Sequence, residues 1–487
     1  MAQDMILGVD VGTTAVKLGL IGANGAAGAT LSHAYPTSRP HPERAEQNAD
    51  DWLARVQRGI TEACMGLAPS RLAGVGLTSQ VNTHVFVDAA GRPLMPAMTW
   101  QDGRAGAEAA ELDAMISPGQ KTAWWGAPMP IDASHPLARM LWVQRHHPQV
   151  WAQTAMVLLP KDYCLLHLTG TPATDPLSNF GLVDGMGHYI AALLDLVPGA
   201  AERLVPLVPP TGIMGQMRAG GPLAGCPVAC GTMDAWAGLV GCGGARHGAQ
   251  IYLSGTSEIL GVSQRRVVPT PGVVVFPEHG GIRLHAAPTQ SGGDAAAWFA
   301  GVSGQSVAAL SDLVAASPRG AATPLFLPQL AGERAPLWDT SLRAGFLGVS
   351  RSTGTADMAR AVFEGVALSA RHALGPLRAS SGVGADTVLC GGGGFRSAVW
   401  TQIRADVLGC ALQPIAAAEP GVMGAALLAM VAVGHHGTLE AAWGATACLG
   451  PLVTPDLAMA ARYDDLFGIY TQAITTAHTV TKQLAEI

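Results

Sequence analysis

Ile6-Leu-Gly-Val-Asp10-Val-Gly12-Thr13-Thr14-Ala-Val-Lys17-Leu-Gly-Leu-Ile21 decides the fold. It reads as a strand, a tight glycine turn and a second strand, and Ala23-Asn24-Gly25 then supplies a hairpin turn. The pattern returns at Ile251-Tyr-Leu-Ser-Gly255-Thr256-Ser257-Glu-Ile-Leu-Gly-Val262, where Gly255-Thr256-Ser257 falls on Gly12-Thr13-Thr14. Met once, a strand–Asp–Gly–Thr turn is as well explained by an ordinary hairpin. Met twice, it predicts two similar domains facing each other.

Outward from these hairpins, strand and helix patterns alternate. Helical spacing of apolar residues covers 51–67, and 72–77 and 84–88 read as strands joined by a polar loop. The Pro/Gly-rich stretch 205–227 reads as connecting loops before a strand at Val228. Helices are expected over 356–374, 397–408, 421–433 and 462–484. This is an α/β pattern. With 487 residues, 49% of them hydrophobic, there is material for two cores, and the boundary is expected near Arg246, giving domains 1–245 and 246–487.

Composition excludes several classes. The net charge is −6, from 29 basic against 35 acidic residues, with no basic run, so no nucleic-acid partner is expected. A Walker A loop needs Gly-Lys, and none of the four lysines (Lys17, Lys121, Lys161, Lys482) follows a glycine. No Gly-x-Gly-x-x-Gly stands at a strand-to-helix junction, so a dinucleotide fold has no support. The eight cysteines are scattered, and Cys226 and Cys230 read as buried thiols rather than half a metal site. The opening MAQDMILGVD lacks a signal-peptide pattern and the apolar run 422–433 is too short to span a bilayer, so a cytoplasmic location with no membrane partner is expected.

The chemistry on offer is that of phosphate. Glycine lets backbone approach closely, while Thr hydroxyls and successive N–H groups can bind phosphate oxygens. Asp10, two residues before Gly12, is placed to hold Mg²⁺ through water, and Lys17 on the next strand adds a cation. A third glycine cluster, Gly391 to Gly394, follows the strand 387–390 and puts bare backbone at a strand C-terminal end, where nucleotides commonly bind. Asp234, in Gly231-Thr-Met-Asp234-Ala-Trp, can take the proton of an attacking hydroxyl; capping the helix that starts near Ala235 is the alternative.

Along nearly its whole length the chain resembles the FGGY family of carbohydrate kinases, in the actin-like ATPase superfamily, and is most similar to its xylulose kinases. The passages carrying the resemblance run in the family's order: the Asp10-x-Gly-Thr-Thr turn, Glu46-Gln47-Asn48, Ser79-Gln80, Trp100-Gln-Asp102-Gly-Arg104, Leu159-Pro-Lys-Asp-Tyr163, Gly231-x-x-Asp234, Ser254-Gly-Thr-Ser257, Gly332-Glu333-Arg334, the run 344–365 ending in Phe363-Glu364-Gly365, and Gly392-Gly393-Gly394 with Arg396-Ser397. The run 344–365 fits a long family pattern and is the most specific of these. The resemblance implies two actin-like (ribonuclease H-like) domains, mixed sheets flanked by helices, with a ligand cleft between them. It implies ATP and Mg²⁺ as cofactors and transfer of the γ-phosphate to a small sugar or polyol, D-xylulose first, with ribulose, an erythritol-like polyol or glycerol behind it. Carried over by motif, Asp234 is the general base and Asp10 the aspartate near Mg²⁺. Gly12, Thr13, Thr14, Lys17, Gly255 and Thr256 face phosphates, Gly392, Gly393 and Ser397 the rest of the nucleotide, and Gln80, Val81, Asn82, Trp100 and Asp102 the sugar beside Asp234. A homodimer is the family-level expectation.

The chain departs from the family where sugar is chosen. Glycerol kinases carry Arg-Glu after Ser-Gln and xylulose kinases Met-His; here Val81-Asn82-Thr83-His84 follow. Asn82 brings no charge, so a sugar acid gains nothing from it. His84 reads as a core histidine, and Trp124-Trp125 as packing under a loop. Asp102 is the more convincing sugar ligand, since a carboxylate accepts paired hydroxyl bonds. Arg139 replaces a family lysine with charge retained, which carries little functional weight on this reading, and Glu333 with Arg334 reads as a structural ion pair. An actin-like ATPase without sugar chemistry, or a sugar-sensing regulator, is the different-class alternative; the first leaves Asp234 and the run 344–365 unexplained, and a retired sensor is expected to lose Asp10 or Asp234, both of which are present.

Overall fold

The computed structural model describes residues 5–485 except 27, 29, 69, 70, 222, 340 and 416–418. The chain forms two compact units. The first comprises Met1–Ala245, Val275–Arg283 and Ala417–Cys448; the second comprises Arg246–Val274, Leu284–Ala416 and Leu449–Ile487. Two later segments thus rejoin the first unit, and nothing in the sequence pattern marks that return.

In the first unit the sheet runs Leu31–Ala34, Ala15–Gly22, Met5–Val11, Leu72–Ser79, Pro227–Ala229, Ile213–Gln216, with Thr232–Met233 also on Leu72–Ser79. Met5–Val11 is antiparallel to Ala15–Gly22 and parallel to Leu72–Ser79. The strand Ile213–Gln216 lies inside the stretch expected as loops; it is a short edge strand antiparallel to Pro227–Ala229, and its Gly215, at φ 141°, breaks the alternation that would have announced it. Period-2 alternation sends Leu7, Val9 and Val11 to one face, where Trp52, Val56 and Ile60 of the helix Ala49–Ala63 close the core.

The other face is bare. Gly8 pairs with Gly19 on one side and Gly76 on the other, and onto these glycines lies the helix Pro420–Ala432. A Cβ on Gly8 would stand 2.2 Å from the Val422 carbonyl oxygen, and one on Gly76 2.0 Å from that of Ala425. That helix is apolar nearly all round because it is covered nearly all round. Asp10 is two residues beyond Gly8 on the same face, so it meets the helix's first turn: a Cβ on Gly421 would lie 2.6 Å from Asp10 Oδ2. A second cluster of helices, Gly106–Met115, Pro118–Trp125, Pro136–His146 and Pro148–Gln153, packs about Phe86, Met98, Leu137 and Trp142.

In the second unit the strands run Leu284–Thr289, Glu258–Ser263, Gln250–Ser254, Thr387–Gly391, Ala411–Pro414, the last three parallel and the first three antiparallel. The internal repeat holds: Gly255–Ser257 bridges its two strands with three residues, as Gly12–Thr14 does. The 27-residue helix Thr355–Ser381 crosses the core and contains Phe363-Glu364-Gly365. Phe363 stacks on Trp400, Glu364 binds Arg319 and the Tyr463 hydroxyl, and a Cβ on Gly365 would meet the Phe326 carbonyl oxygen at 2.5 Å. This most family-specific run is therefore a packing device. No single helix among the described residues is long and apolar enough to cross a membrane.

Candidate active site

Each Gly-Thr turn has had its carbonyls taken. In the first unit the Gly12 carbonyl accepts the Tyr35 hydroxyl, Thr13 O accepts Gln47 Nε2 at 2.8 Å, and Thr14 O accepts the Tyr35 N–H at 3.2 Å. Thr13 Oγ1 accepts the Trp100 indole N–H at 2.9 Å, so its own proton is free to be donated. In the second unit Gly255 O accepts Gly293 N at 2.9 Å, Thr256 O accepts Asp294 N at 3.1 Å, and Ser257 O accepts Gly255 N at 2.9 Å. With its carbonyls engaged, and its glycine N–H spent on Ala15 O or Ser257 O, such a turn has donors rather than acceptors left to offer, which is what an anion requires.

Asp10 and Asp234 stand close enough to repel. Asp10 is register partner of Lys17, and its Oδ1 is buried with no hydrogen-bond partner among the described residues. Burial, then the Asp234 charge, raise its carboxyl to about 7, against the lowering effect of Lys17. Asp234 is the first residue of the helix Asp234–Leu239, after the N-cap Met233, so it is not the cap that the alternative reading made it; its Oδ1 accepts the Ala235 N–H at 2.7 Å. Lys17, expected to add a cation beside the turn, is ion-paired at 2.8 Å with Glu419, the residue before Pro420. No group of three His, Cys, Asp or Glu among the described residues is arranged to hold an ion directly.

Of the residues expected to face sugar, Gln80 is buried; its Nε2 donates to Gln47 Oε1 at 2.8 Å and its Oε1 has no partner among the described residues. Asn82 adopts φ 50°, in the left-handed region. Its Nδ2 donates to Ser134 Oγ at 3.1 Å, while Ser134 Oγ donates its single proton to Asp132 Oδ1 at 2.6 Å. Ser134 can then only accept, which fixes the Asn82 amide with nitrogen inward and leaves Oδ1 as the acceptor it presents. Its backbone is held by Arg139, wholly buried, whose guanidinium also donates to Met98 O at 2.8 Å, to Thr99 O, to Ala133 O at 3.3 Å, and meets His84 Nδ1 at 3.0 Å.

Three sequence expectations change here. Arg139 does carry weight, because a lysine could not supply its fork of donors to several backbone segments. Asp102 does not offer the sugar a carboxylate pair: Oδ1 accepts Arg104 Nε at 2.7 Å, and Oδ2 accepts Arg104 Nη2 at 2.6 Å and Ala45 N at 2.7 Å. It is a buried clamp, and Arg104 also reaches Glu46 at 2.6 Å. Ser397 caps the helix Ala398–Leu408 through the Trp400 N–H at 3.3 Å and shares a 2.6 Å hydrogen bond with Ser311 Oγ, so its hydroxyl is engaged. Val81 lies in the loop beside Asn82, half-buried. His84 and Trp125 are buried, and burial with the nearby Arg139 charge holds the His84 ring far below its usual range, hence neutral. Glu333 accepts the backbone N–H of Arg334 at 3.0 Å and the Ser369 hydroxyl at 2.9 Å.

Two stretches, residues 5–241 and 252–433, match the N- and C-terminal domains of the FGGY family of carbohydrate kinases. The chain belongs to that family. This carbohydrate kinase is 30% identical over 445 residues to the xylulose kinase of Klebsiella pneumoniae, covering 88% of the chain and 90% of the relative. It is 29% identical to that of Escherichia coli (strain K12), over 89% and 91% of the two chains. The crystal structure of a xylulose kinase from Brucella ovis superposes with a TM-score of 0.88 at 27% identity, covering 98% of this chain and 100% of that one. The two units of the sugar kinase are accordingly actin-like domains. Sequence reasoning missed Tyr35, Arg139, Glu419 and Gly421 as builders of its site, and named Gln47 only inside a motif. Tyr35 and Arg139 act on backbone carbonyls, Gly421 by close approach and Glu419 through a residue distant in sequence, and only the dense Gly and Pro around 419–424 gave any signal.

Proposed function

We propose that this sugar kinase transfers the γ-phosphate of ATP, as its Mg²⁺ complex, to a hydroxyl of D-xylulose, with Asp234 as the base. The hydroxyl proton passes to Asp234, the sugar oxygen bonds to phosphorus, the bond from phosphorus to the β-phosphate oxygen breaks, and ADP leaves. The observation that carries the phosphate chemistry is the pair of turns whose carbonyls are all engaged, one in each unit. Gly392, Gly393 and Gly394 then take the nucleoside portion. Bound Mg²⁺ would supply charge neutralisation on the phosphate oxygens. The partnerless Asp10 Oδ1 and the raised Asp10 carboxyl fit a site that lacks a positive charge.

That fit has a pH signature. A carboxyl raised from 3.8 to about 7 in the folded protein favours the folded state when protonated, and this contribution is lost as pH rises through about 7. Asp10→Asn should therefore raise the Tm of ligand-free protein at pH 8 and much less at pH 5, while abolishing a Mg²⁺-dependent rise at pH 8. Differential scanning fluorimetry at the two pH values checks this; equal shifts at both would contradict it.

D-xylulose rests on the xylulose kinase relatives and on Asn82, a neutral acceptor suited to a hydroxyl rather than a carboxylate. A coupled ADP-release assay with Mg-ATP against D-xylulose, D-ribulose, erythritol, glycerol and D-gluconate tests it. Turnover with D-xylulose well above the others is expected; preference for gluconate would overturn the substrate reading, and absence of sugar-stimulated turnover the whole of it. Asn82→His should shift the ratio of kcat/KM between sugars by about tenfold, the size of one hydrogen bond, with the KM for ATP unmoved. We place the enzyme in the cytoplasm, as expected from its sequence pattern, and as a homodimer, the family-level expectation.

A further inference from the structure

We propose that Arg404 and Glu258 are positioning residues for the nucleotide, fixing the turn Gly255–Ser257 and the glycine turn Gly392–Gly394 in register with each other. The proposal rests on the reading above that these turns hold ATP.

Ser254 and Glu258 flank the first turn and are register partners across its hairpin. The Glu258 carboxylate accepts Ser254 Oγ at 2.7 Å, the Tyr252 hydroxyl, and Arg404 Nη2 at 2.7 Å. Arg404, from the helix Ala398–Leu408, also donates Nη2 to Ser254 Oγ at 2.9 Å, Nε to Tyr252 at 3.2 Å, and Nη1 to the Gly394 carbonyl at 2.7 Å. One guanidinium thus binds both turns. The rings of Trp400, Phe395 and Tyr252 surround it at 4.0, 4.7 and 5.6 Å, and both charged side chains are 0% exposed. The glycine turn is pressed onto the same point: a Cβ on Gly394 would meet Ser254 Oγ at 2.1 Å, and one on Gly392, at φ 97°, would meet the Ser254 carbonyl oxygen at 2.4 Å.

Stability alone gives little reason for such a pair. A buried ion pair can generally be replaced by apolar side chains of like volume at no loss of stability, since desolvation offsets the attraction. What apolar residues cannot reproduce is the directed grip on the Gly394 carbonyl and on Ser254. A ligand that spans both turns needs their separation held; a ligand touching one does not.

The test uses the full chain with Arg404→Lys and with the double substitution Arg404→Met plus Glu258→Leu, measuring Kd for Mg-ADP and for adenosine by calorimetry, KM for sugar, and Tm. Both variants should bind Mg-ADP at least tenfold more weakly and adenosine within about twofold of wild type, with sugar KM unchanged. The double variant should keep its Tm. Mg-ADP affinity within twofold of wild type in the folded variants would overturn the proposal, as would equal weakening of adenosine and Mg-ADP, which marks general loosening. A double variant that does not fold makes the pair a stability element and overturns it too. Wild-type protein that binds neither ligand removes the nucleotide reading itself, a result distinct from all of these.

Discussion

Asp234→Ala is expected to lower kcat by roughly 10³-fold, the middle of the range for a positioned general base, while Kd for Mg-ADP stays within about twofold. The carboxylate is held at the first residue of a helix by the Ala235 N–H, and it lies near Asp10, whose own proton affinity it raises. Two carboxylates sharing a neighbourhood are well arranged for one to take a proton while the other faces a cation. Alanine removes the acceptor and leaves both Gly-Thr turns, which have their own supports in Tyr35, Gln47 and the helix Gly293–Ser303, untouched. Single-turnover kinetics with the purified variant check the chemical step and calorimetry checks the binding. Turnover near the wild-type rate would remove Asp234 from the mechanism; lost ADP affinity would show its role to be structural.

Gly424→Ala is expected to be severely destabilising. The added Cβ would stand 1.9 Å from the Ala237 carbonyl oxygen and 2.4 Å from its carbonyl carbon, both backbone. Neither atom can rotate away, so the helix Pro420–Ala432 must move from Asp234–Leu239. It has little room, because Gly8 and Gly76 press it from the sheet side. Overpacking of this kind costs about 3 kcal/mol, lowering Tm by roughly 5–10 °C for a unit of this size. The displaced elements carry Asp234 and Gly421, so kcat should fall as well. Gly301→Ala, in the helix Gly293–Ser303 with nothing within 4 Å of its Cβ, is the control and should leave Tm unchanged or slightly higher. A Gly424→Ala protein with wild-type Tm would show that the two helices do not pack backbone to backbone.

Much of the fold is local and therefore legible. Alternation in Ile6 to Ile21, the repeated Gly-Thr turn and the helical spacing in 356–374 and 421–433 depend on residues near one another in sequence, and the elements stand where those patterns lie. The two turns could be matched residue for residue because a three-residue bridge between strands leaves little choice. The edge strand Ile213–Gln216 was not legible, since glycine and proline hide the period that signals a strand.

The chemistry was legible by residue type and less so by role. The sequence places a carboxylate two residues before a Gly-Thr turn, and the structure keeps Asp10 at the end of the strand that leads into that turn. Whether a carboxylate is free to meet a ligand depends on who else reaches it, and the sequence does not hold that information. Asp102 and Asp10 are both aspartates in motifs; Asp102 is fully engaged by Arg104 and Ala45, while Asp10 keeps a buried oxygen without a partner. By itself the sequence determined the family and the paired Gly-Thr hairpins, because those are fixed by local geometry and residue type. Only the tertiary structure decided that 417–448 returns to the first unit, that Arg139 holds the backbone at Asn82 while Asp102 is engaged by Arg104, and that Lys17 answers to Glu419. Each of those but the Asp102–Arg104 pair is a contact between residues distant in sequence, and its strength depends on burial, which exists only once the chain has folded.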